Sequence, residues 1–370
     1  MPLLALSRLF ADDRRAESFR VLHRLLPSRS VAPTGSPWPF SLQKQPLPAT
    51  YPFAGEDRCF RAFLERTETT GLLVAQDGVI VHESYASGYD EATLVSSFSV
   101  AKSITSVLIG IAIDRGAIGS VDDPVSDYVP ELAQGGYAGA TIRDLLSMSS
   151  GVEWSEDYRN PRSDVMRLPV RLFALRQSTP SVLARLPRGS ESGTLARYSS
   201  ADTLVLGLVL ERSTGMHLAG YLEEALWRPA GMAAPAAWGT DRHGHALAHA
   251  FLGATLRDYA RFGRLILHRG RRDGVQVVPA EWVDASLTPG VVPLGDDPSF
   301  GEGFDYGYHW WLPPDDRNEA VAMGIHGQFV YVHRGFRVVI VKTGTDPDYA
   351  GRELETVAAF RAIGRSLIRG

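Results

Sequence analysis

The longest stretch of helix-like hydrophobic spacing runs from Ser99 to Arg115. Its apolar residues fall on one face of a helix: Val100, Ile104, Val107, Leu108 and Ile111. Gly116 follows, and glycine commonly ends a helix because it adopts the left-handed conformation without strain. The pattern therefore predicts a helix that begins at Ser99 and ends just before Gly116.

Strand-like patterns lie near both ends of the chain. Residues 71–76 and 79–85 flank Asp77-Gly78, a dipeptide that favours a hairpin turn. Close to the C-terminus, three stretches are rich in β-branched and aromatic residues: Tyr306–Leu312, Ala320–His333 and Arg337–Thr343. The segment Glu353–Ile368 then predicts a closing helix.

The middle of the chain alternates short helical patterns with loops rich in proline and glycine. Examples of these helices are Ile142–Met148, Asp202–Arg212 and Thr255–His268. One sheet built from both chain ends, with helices between them, indicates the α+β class. We expect an antiparallel sheet flanked by helices in a lobe of about residues 53–121 and 291–370, and a mainly helical lobe of about residues 122–290. Residues 1–52 predict an N-terminal extension, with an extended arm rich in Pro and Ser that wraps the main domain 53–370.

Composition narrows the function classes. With 44% hydrophobic and 22% charged residues, the chain resembles an ordinary globular protein, and its net charge of -4 suggests neither nucleic acid nor a membrane as partner. The single cysteine, Cys59, excludes an intramolecular disulfide. Met1–Phe10 lacks the basic region and cleavage site of a secretory signal, so we expect a cytoplasmic protein. A homodimer is compatible with these features.

Ser99 and Lys102 carry the strongest chemical signal. Only three of the 38 basic residues of Lys and Arg type are lysines: Lys44, Lys102 and Lys342. Arginine cannot lose its proton in a protein, whereas a buried lysine can lose it and then act as a base. At a helix start, Lys102 lies on the same face as Ser99, whose own N–H is an unpaired donor suited to an oxyanion. The S-x-x-K spacing thus suits an activated serine, although chance could also produce it.

Tyr198-Ser199-Ser200 could complete this chemistry. The Tyr198 phenol could relay a proton between the serine oxygen and a leaving group, and the Ser200 hydroxyl could hold the lysine or the substrate. Alternatively, these residues cap the helix that begins near Asp202. Both roles are compatible.

A third element is expected on a strand near the C-terminus. Lys342-Thr343-Gly344 spells a K-T-G triplet, but it ends the last predicted strand, immediately before the terminal helix. The better candidate is 322–327, one predicted strand earlier, where Gly324 permits a close backbone approach and the Ile325 N–H could be the second oxyanion donor.

Aromatic residues and histidines near the C-terminus and in the middle of the chain suggest further roles. Trp310-Trp311 should place its two rings on opposite sides of a strand, with Trp311 a candidate pocket wall. Three histidines lie close together in sequence: His243, His245 and His249. No matching carboxylate or cysteine pattern accompanies them, so we predict no metal and no cofactor, and His249 could approach the rim of the active site.

These motifs together resemble the serine β-lactamase and penicillin-binding-protein superfamily, on its class C and esterase side. Within it, the chain is most similar to the 6-aminohexanoate-dimer hydrolases, which cleave nylon-type linear amides. The resemblance covers roughly residues 60–370. It rests on Ser99-x-x-Lys102, Leu145-Leu-Ser-Met-Ser-Ser-Gly151, Glu156-Asp-Tyr158, Tyr198-Ser-Ser200 and Gly324-Ile-His-Gly-Gln328.

The resemblance implies that Ser99 is acylated, that Lys102 and Tyr198 move protons, and that Ile325 donates to the oxyanion. It also implies a set of residues in contact with the substrate: Glu156, Tyr158, Ser200, Trp311, Gly324 and His326. Tyr158 would close over the substrate, and Glu156 would meet its amine.

Two departures from the family pattern shape the expected activity. Ser200 replaces the asparagine common in β-lactamases, and Ala322 replaces the lysine that pairs with the β-lactam carboxylate. We therefore predict a cofactor-free hydrolase of a short linear amide or ester. A D,D-peptidase or β-lactamase, and a non-catalytic binding module of the same fold, remain the alternatives.

Overall fold

The structure, a computed structural model, describes residues 14–86, 88–294 and 303–369. Residues 1–13 of the predicted extension lie outside that part of the chain. The β-strands of the described part are β1 (Ser28–Val31), β2 (Ser41–Leu42), β3 (Thr50–Phe53), β4 (Glu56–Cys59), β5 (Thr69–Gln76), β6 (Val79–Tyr85), β7 (Val95–Ser96), β8 (Ala236–Gly239), β9 (Leu252–Ala254), β10 (Arg271–Arg272), β11 (Val275–Gln276), β12 (Asp305–Tyr306), β13 (Trp311–Leu312), β14 (Glu319–Gly324), β15 (Gln328–His333) and β16 (Val338–Gly344).

Helices fill the middle of the chain and cover the sheet. The α-helices of the described part are α1 (Arg15–Leu25), α2 (Phe60–Arg66), α3 (Val100–Asp114), α4 (Ile142–Leu146), α5 (Asp164–Pro169), α6 (Thr179–Leu183), α7 (Ser200–Thr214), α8 (Leu218–Leu222), α9 (Leu256–Leu267), α10 (Ala280–Ser286) and α11 (Glu353–Arg369). Short helices of other types span Val125–Asp127 and Pro130–Leu132, which are 3₁₀, and Val170–Ala174 and Glu223–Trp227, which are π.

The main sheet combines strands from both chain ends. Its order is β12-β13-β14-β15-β16-β5-β6-β2, and every pair is antiparallel except β2 with β6. In β5, Leu73 and Ala75 face the core that contains α3 and α9, whereas Leu72 and Val74 face the core under α11. Because both faces are covered, successive residues are apolar on both sides. The predicted α+β architecture is confirmed.

Two of the predicted strand regions were too long. Ala320–His333 is two strands, β14 and β15, joined by a tight turn in which His326 and Gly327 have φ of 63° and 83°. Tyr306–Leu312 likewise contains only the last residue of β12, a loop and the two-residue strand β13. Neither turn carries the Asn-Gly or Asp-Gly signal that marks the hairpin between β5 and β6.

A second, smaller sheet was not predicted. Its order is β1-β8-β9-β7, so β1 of the N-terminal extension pairs with β8 from the helical region. The extension also supplies β2 to the edge of the main sheet. The described part of the extension therefore contributes strands to both sheets. None of the described helices is long and apolar enough to cross a membrane.

Candidate active site

Ser99 lies where a short strand gives way to a long helix. It is the N-cap of α3 and follows Phe98, which has a φ of 43°. Gly324, at the end of β14, passes so close that a Cβ placed on it would lie 2.6 Å from the Ser97 carbonyl oxygen and 3.1 Å from the Ser99 nitrogen. Glycine is therefore required where β14 meets the start of this helix.

Lys102 lies one turn into the same helix and points toward Ser99. Its Nζ donates to Ser99 Oγ at 2.8 Å, to Ser200 Oγ at 3.1 Å and to the His249 carbonyl oxygen at 3.3 Å. The side chain is 1% exposed. Burial lowers the pKa of Lys102 to about 8, although the charge of Glu156 acts in the opposite direction. The ammonium can thus lose its proton near neutral pH, and the free amine that results can accept a proton from a hydroxyl.

Tyr198 lies immediately before α7 and completes a three-residue cluster. Lys102 Nζ lies 4.9 Å from the centre of the Tyr198 ring. Burial raises the pKa of Tyr198, and a hydrogen bond with Ser99 lowers it in part. The capping role is present as well, since Ser199 Oγ accepts from the Asp202 N–H. A neutral phenol in contact with the serine can both donate and accept a proton.

Glu156 lines the cleft, but its carboxylate is already occupied by protein donors. Its carboxylate accepts from Trp154 Nε1, from the Tyr158 hydroxyl at 2.8 Å, and from both the backbone N–H and the hydroxyl of Ser200. Since Ser200 Oγ also accepts from Lys102, Glu156 is linked to the lysine through Ser200. The predicted contact of Glu156 with a substrate amine would have to compete with these four donors.

The turn between β14 and β15 brings Ile325 to the cleft beside Ser99. Gln328 supports the turn from behind: its Nε2 donates to the carbonyl oxygens of Ile325 and His326, each at 3.2 Å, and to that of Gly344 at 2.8 Å. Sequence reasoning gave Gln328 no role of its own, although it ends the motif that led to Ile325.

A cleft of about 880 Å³ opens over these groups. The predicted residues that line it are Ser99, Glu156, Tyr158, Tyr198, Trp311, Gly324 and Ile325. Lys102 and Ser200 lie buried behind the wall. Trp311 stands 5.5 Å from Tyr198, ring centre to ring centre. Trp310 packs in the opposite core, so the rings face opposite sides as predicted, but both are buried.

His326 is not among the residues that line the cleft, and its predicted contact with the substrate stays a prediction. Its φ is positive, its ring packs against Phe19, Phe98 and Tyr349, and Nδ1 lies 3.0 Å from the Asp346 carbonyl oxygen.

Charged and aromatic residues of the cleft wall were missed from the sequence. They are Trp154, Asp157, Arg159, Arg197, Tyr349 and Glu353. Glu353 begins the closing helix, Tyr349 lies in the loop before it, and no motif marks either residue. Asp157 and Arg197 each adjoin a residue that was singled out, and this adjacency was the only available signal. The cleft therefore offers charges of both signs.

Metal-ligating residue types meet away from this cleft. Among the described residues, Asp316, Glu319 and His333 lie within reach of one ion. Glu319 is already paired with Arg361 at 2.8 Å and accepts from the Tyr331 hydroxyl at 2.9 Å, so a cation there would face an arginine. His245 pairs with Glu211. His249 is buried beside Lys102, and burial together with the charge of Lys102 lowers the pKa of His249.

Comparison with protein families matches residues 57–359 to the family described as Beta-lactamase. The chain belongs to the β-lactamase family. The 6-aminohexanoate-dimer hydrolase of Paenarthrobacter ureafaciens is 32% identical over 294 residues, which cover 77% of this chain and 74% of that protein. The resemblance drawn from the motifs is therefore confirmed, and the protein is a hydrolase of the serine β-lactamase and penicillin-binding-protein superfamily.

Solved structures of the β-lactamase family share this fold. A Bacillus anthracis protein with the provisional name 6-aminohexanoate-dimer hydrolase superposes with a TM-score of 0.86 at 22% identity, covering 98% of this chain and 96% of its own. EstCE1, described as a hydrolase with promiscuous acyltransferase activity, superposes with a TM-score of 0.65 at 17% identity. The superposition covers 82% of this chain and 96% of EstCE1.

The K-T-G triplet does not reach the cleft. Lys342 is 1% exposed near the end of β16, with Nζ 5.9 Å from the ring centres of Phe63 and Phe329. The segment 322–327 does reach it, but it ends β14 and forms the turn into β15, two strands before β16 instead of one. Ala322, which the sequence resemblance assigns to the position of the triplet lysine, is fully buried.

Proposed function

We propose that this protein hydrolyses a short linear amide or ester of the 6-aminohexanoate-dimer type through an acyl-enzyme on Ser99. The observation that carries the proposal is the 2.8 Å contact between Lys102 Nζ and Ser99 Oγ, made by a buried lysine whose pKa is lowered to about 8. A neutral amine at this distance can take the serine proton as the oxygen attacks a carbonyl carbon.

The proposed reaction needs only groups of this chain, the substrate and water. Ser99 Oγ bonds to the carbonyl carbon, and its proton passes to Lys102. The Tyr198 hydroxyl delivers a proton to the leaving nitrogen or oxygen as the bond to carbon breaks. The proton on Lys102 then passes to the Tyr198 oxygen, which restores the neutral amine and the phenol. Water attacks the ester formed on Ser99 and gives one proton to this pair, and the pair returns a proton to Ser99 Oγ as the acid is released. The N–H groups of Ser99 and Ile325 stabilise the oxyanion in both steps.

The cleft wall supports a substrate with two charged ends. Asp157 and Glu353 carry acidic groups, and Arg159 and Arg197 carry basic groups. A linear dimer of 6-aminohexanoate has an ammonium at one end and a carboxylate at the other. Tyr158 and Trp311 supply apolar surface for the methylene chain between them. We propose a small-molecule substrate of this kind in the cytoplasm, without a cofactor.

A substrate panel tests this reaction class. We expect turnover of p-nitrophenyl esters and of the linear aminohexanoate dimer to exceed that of a chromogenic cephalosporin by at least about tenfold, because buried Ala322 cannot pair with the β-lactam carboxylate. Steady-state kcat/KM values measured on one enzyme preparation give the comparison. A cephalosporin that matches the esters would favour the β-lactamase alternative. Tight ligand binding without any turnover would favour the binding module.

Gly324→Ala should lower kcat by about 10²-fold, since the new Cβ would meet backbone atoms at Ser97 and Ser99 and displace the oxyanion donors. The matched control is Gly220→Ala in α8, where the Cβ would meet only a flexible methionine carbon at 3.7 Å. Ester hydrolysis and thermal unfolding of both variants provide the measurement. Equal activity of the two variants would show that the close approach at Gly324 is not needed for catalysis.

A further inference from the structure

Both proposed oxyanion donors adjoin a residue with an unusual backbone conformation. Phe98, immediately before Ser99, has a φ of 43°, and His326, immediately after Ile325, has a φ of 63°. Residues other than glycine seldom adopt positive φ, and such conformations persist where the surroundings hold them in place. Some other part of the molecule must therefore hold Phe98 and His326 in these conformations.

One aromatic ring contacts both strained residues. Phe19 of α1 is 1% exposed, and its ring centre lies 4.8 Å from that of Phe98 and 5.2 Å from that of His326. Phe98 and His326 are themselves in contact at 5.8 Å, and Ile325 packs against the same cluster. Three rings thus join the start of α3 to the turn after β14, on the side away from the cleft.

The helix that carries Phe19 is also held by contacts outside the ring cluster. Arg15 Nε donates to the Thr345 carbonyl oxygen at 3.0 Å, and the Tyr89 hydroxyl donates to the Ala16 carbonyl oxygen. The helix packs against the small sheet, and β1, which follows it, pairs with β8. Phe19 is therefore presented to Phe98 and His326 from a fixed support.

We infer that Phe19 is a positioning residue, which holds the Ser99 and Ile325 N–H groups at the separation that an oxyanion requires. The inference rests on the proposed function and gives the N-terminal extension a part in it. Phe19 does not line the cleft, so it acts through Phe98 and His326 and has no contact with the ground-state substrate. Its loss should therefore affect the transition state more than substrate binding.

Phe19→Ala should lower kcat for a p-nitrophenyl ester by about tenfold or more while KM changes by less than about twofold. Affinity for a boronic acid, which forms a tetrahedral adduct with a serine, should fall by a factor similar to that for kcat. Phe19→Met, which refills most of the volume, should recover much of the activity and provides a folded variant if the alanine variant fails. The matched control is Leu26→Ala, since Leu26 ends the same helix and packs in the main core instead of the ring cluster.

Hydrogen exchange separates this inference from the proposed reaction. In Phe19→Ala, peptides that cover residues 95–102 and 322–328 should exchange faster than in Leu26→Ala, whether or not a substrate is turned over. If both variants show the same exchange and the same kcat, the positioning role is wrong. If exchange accelerates as expected but the wild-type protein is not labelled at Ser99 by a fluorophosphonate, the proposed nucleophile is wrong and the ring cluster still holds the two segments.

Discussion

Ser99→Ala should abolish covalent labelling by a fluorophosphonate and reduce ester hydrolysis on the order of 10⁴-fold or more. The expected loss is this large because the proposed acyl-enzyme requires an oxygen at that position. Ser99, Lys102 and Tyr198 would act as one catalytic unit, so removing the serine alone removes most of the rate enhancement that the three provide. Intact-protein mass spectrometry reports the label, and steady-state hydrolysis reports the rate.

A matched control lies on the same helix. Ser106 is fully buried in α3, and its hydroxyl has no hydrogen-bond partner among the described residues. Ser106→Ala should therefore retain both labelling and turnover, and it shows whether loss of a buried serine from α3 is harmful in itself. Labelling that survives Ser99→Ala at an unchanged level would refute the proposed nucleophile.

Local sequence signals predicted the parts of the fold that depend on neighbouring residues. Gly116 has a φ of 73° directly after α3, as expected of a glycine beyond a helix end, and Asp77-Gly78 forms the turn between β5 and β6. Ser99 and Lys102 meet because their spacing places them on one face of one helix. These features need no knowledge of distant contacts.

The features that were missed depend on contacts between distant parts of the chain. The pairing of β1 with β8 joins segments about two hundred residues apart in the sequence. Both strands are too short to show a clear alternation of apolar and polar residues. The cleft residues Tyr349 and Glu353 reach the site only because α11 and the loop before it begin beside the cleft.

The ionisation of Lys102 should determine how kcat/KM falls on the acid side of its pH profile, which is called the acid limb here. Burial lowers its pKa to about 8, so Nζ is protonated below that pH and cannot accept the Ser99 proton, whereas above it the free amine can. kcat/KM should therefore rise with pH through about 8. Glu156→Gln should move this limb to lower pH, because the Glu156 charge raises the pKa of Lys102.

A second buried lysine could produce a similar limb and must be separated from the first. Burial lowers the pKa of Lys342 to about 7, but Lys342 lies outside the cleft. Lys342→Met should therefore leave the acid limb in place. Disappearance of the limb in that variant would assign it to Lys342.

Lys102→Arg should reduce kcat/KM by about 10³-fold or more at every pH, because arginine keeps its proton throughout the accessible range and cannot serve as the base. Lys44→Arg makes the same chemical change at an exposed position and should be without effect. The decisive measurement is the profile of Lys102→Arg at high pH. If a positive charge beside Ser99 were sufficient, arginine would supply it and activity would persist. A uniform loss, without recovery as pH rises, identifies proton acceptance as the function of Lys102.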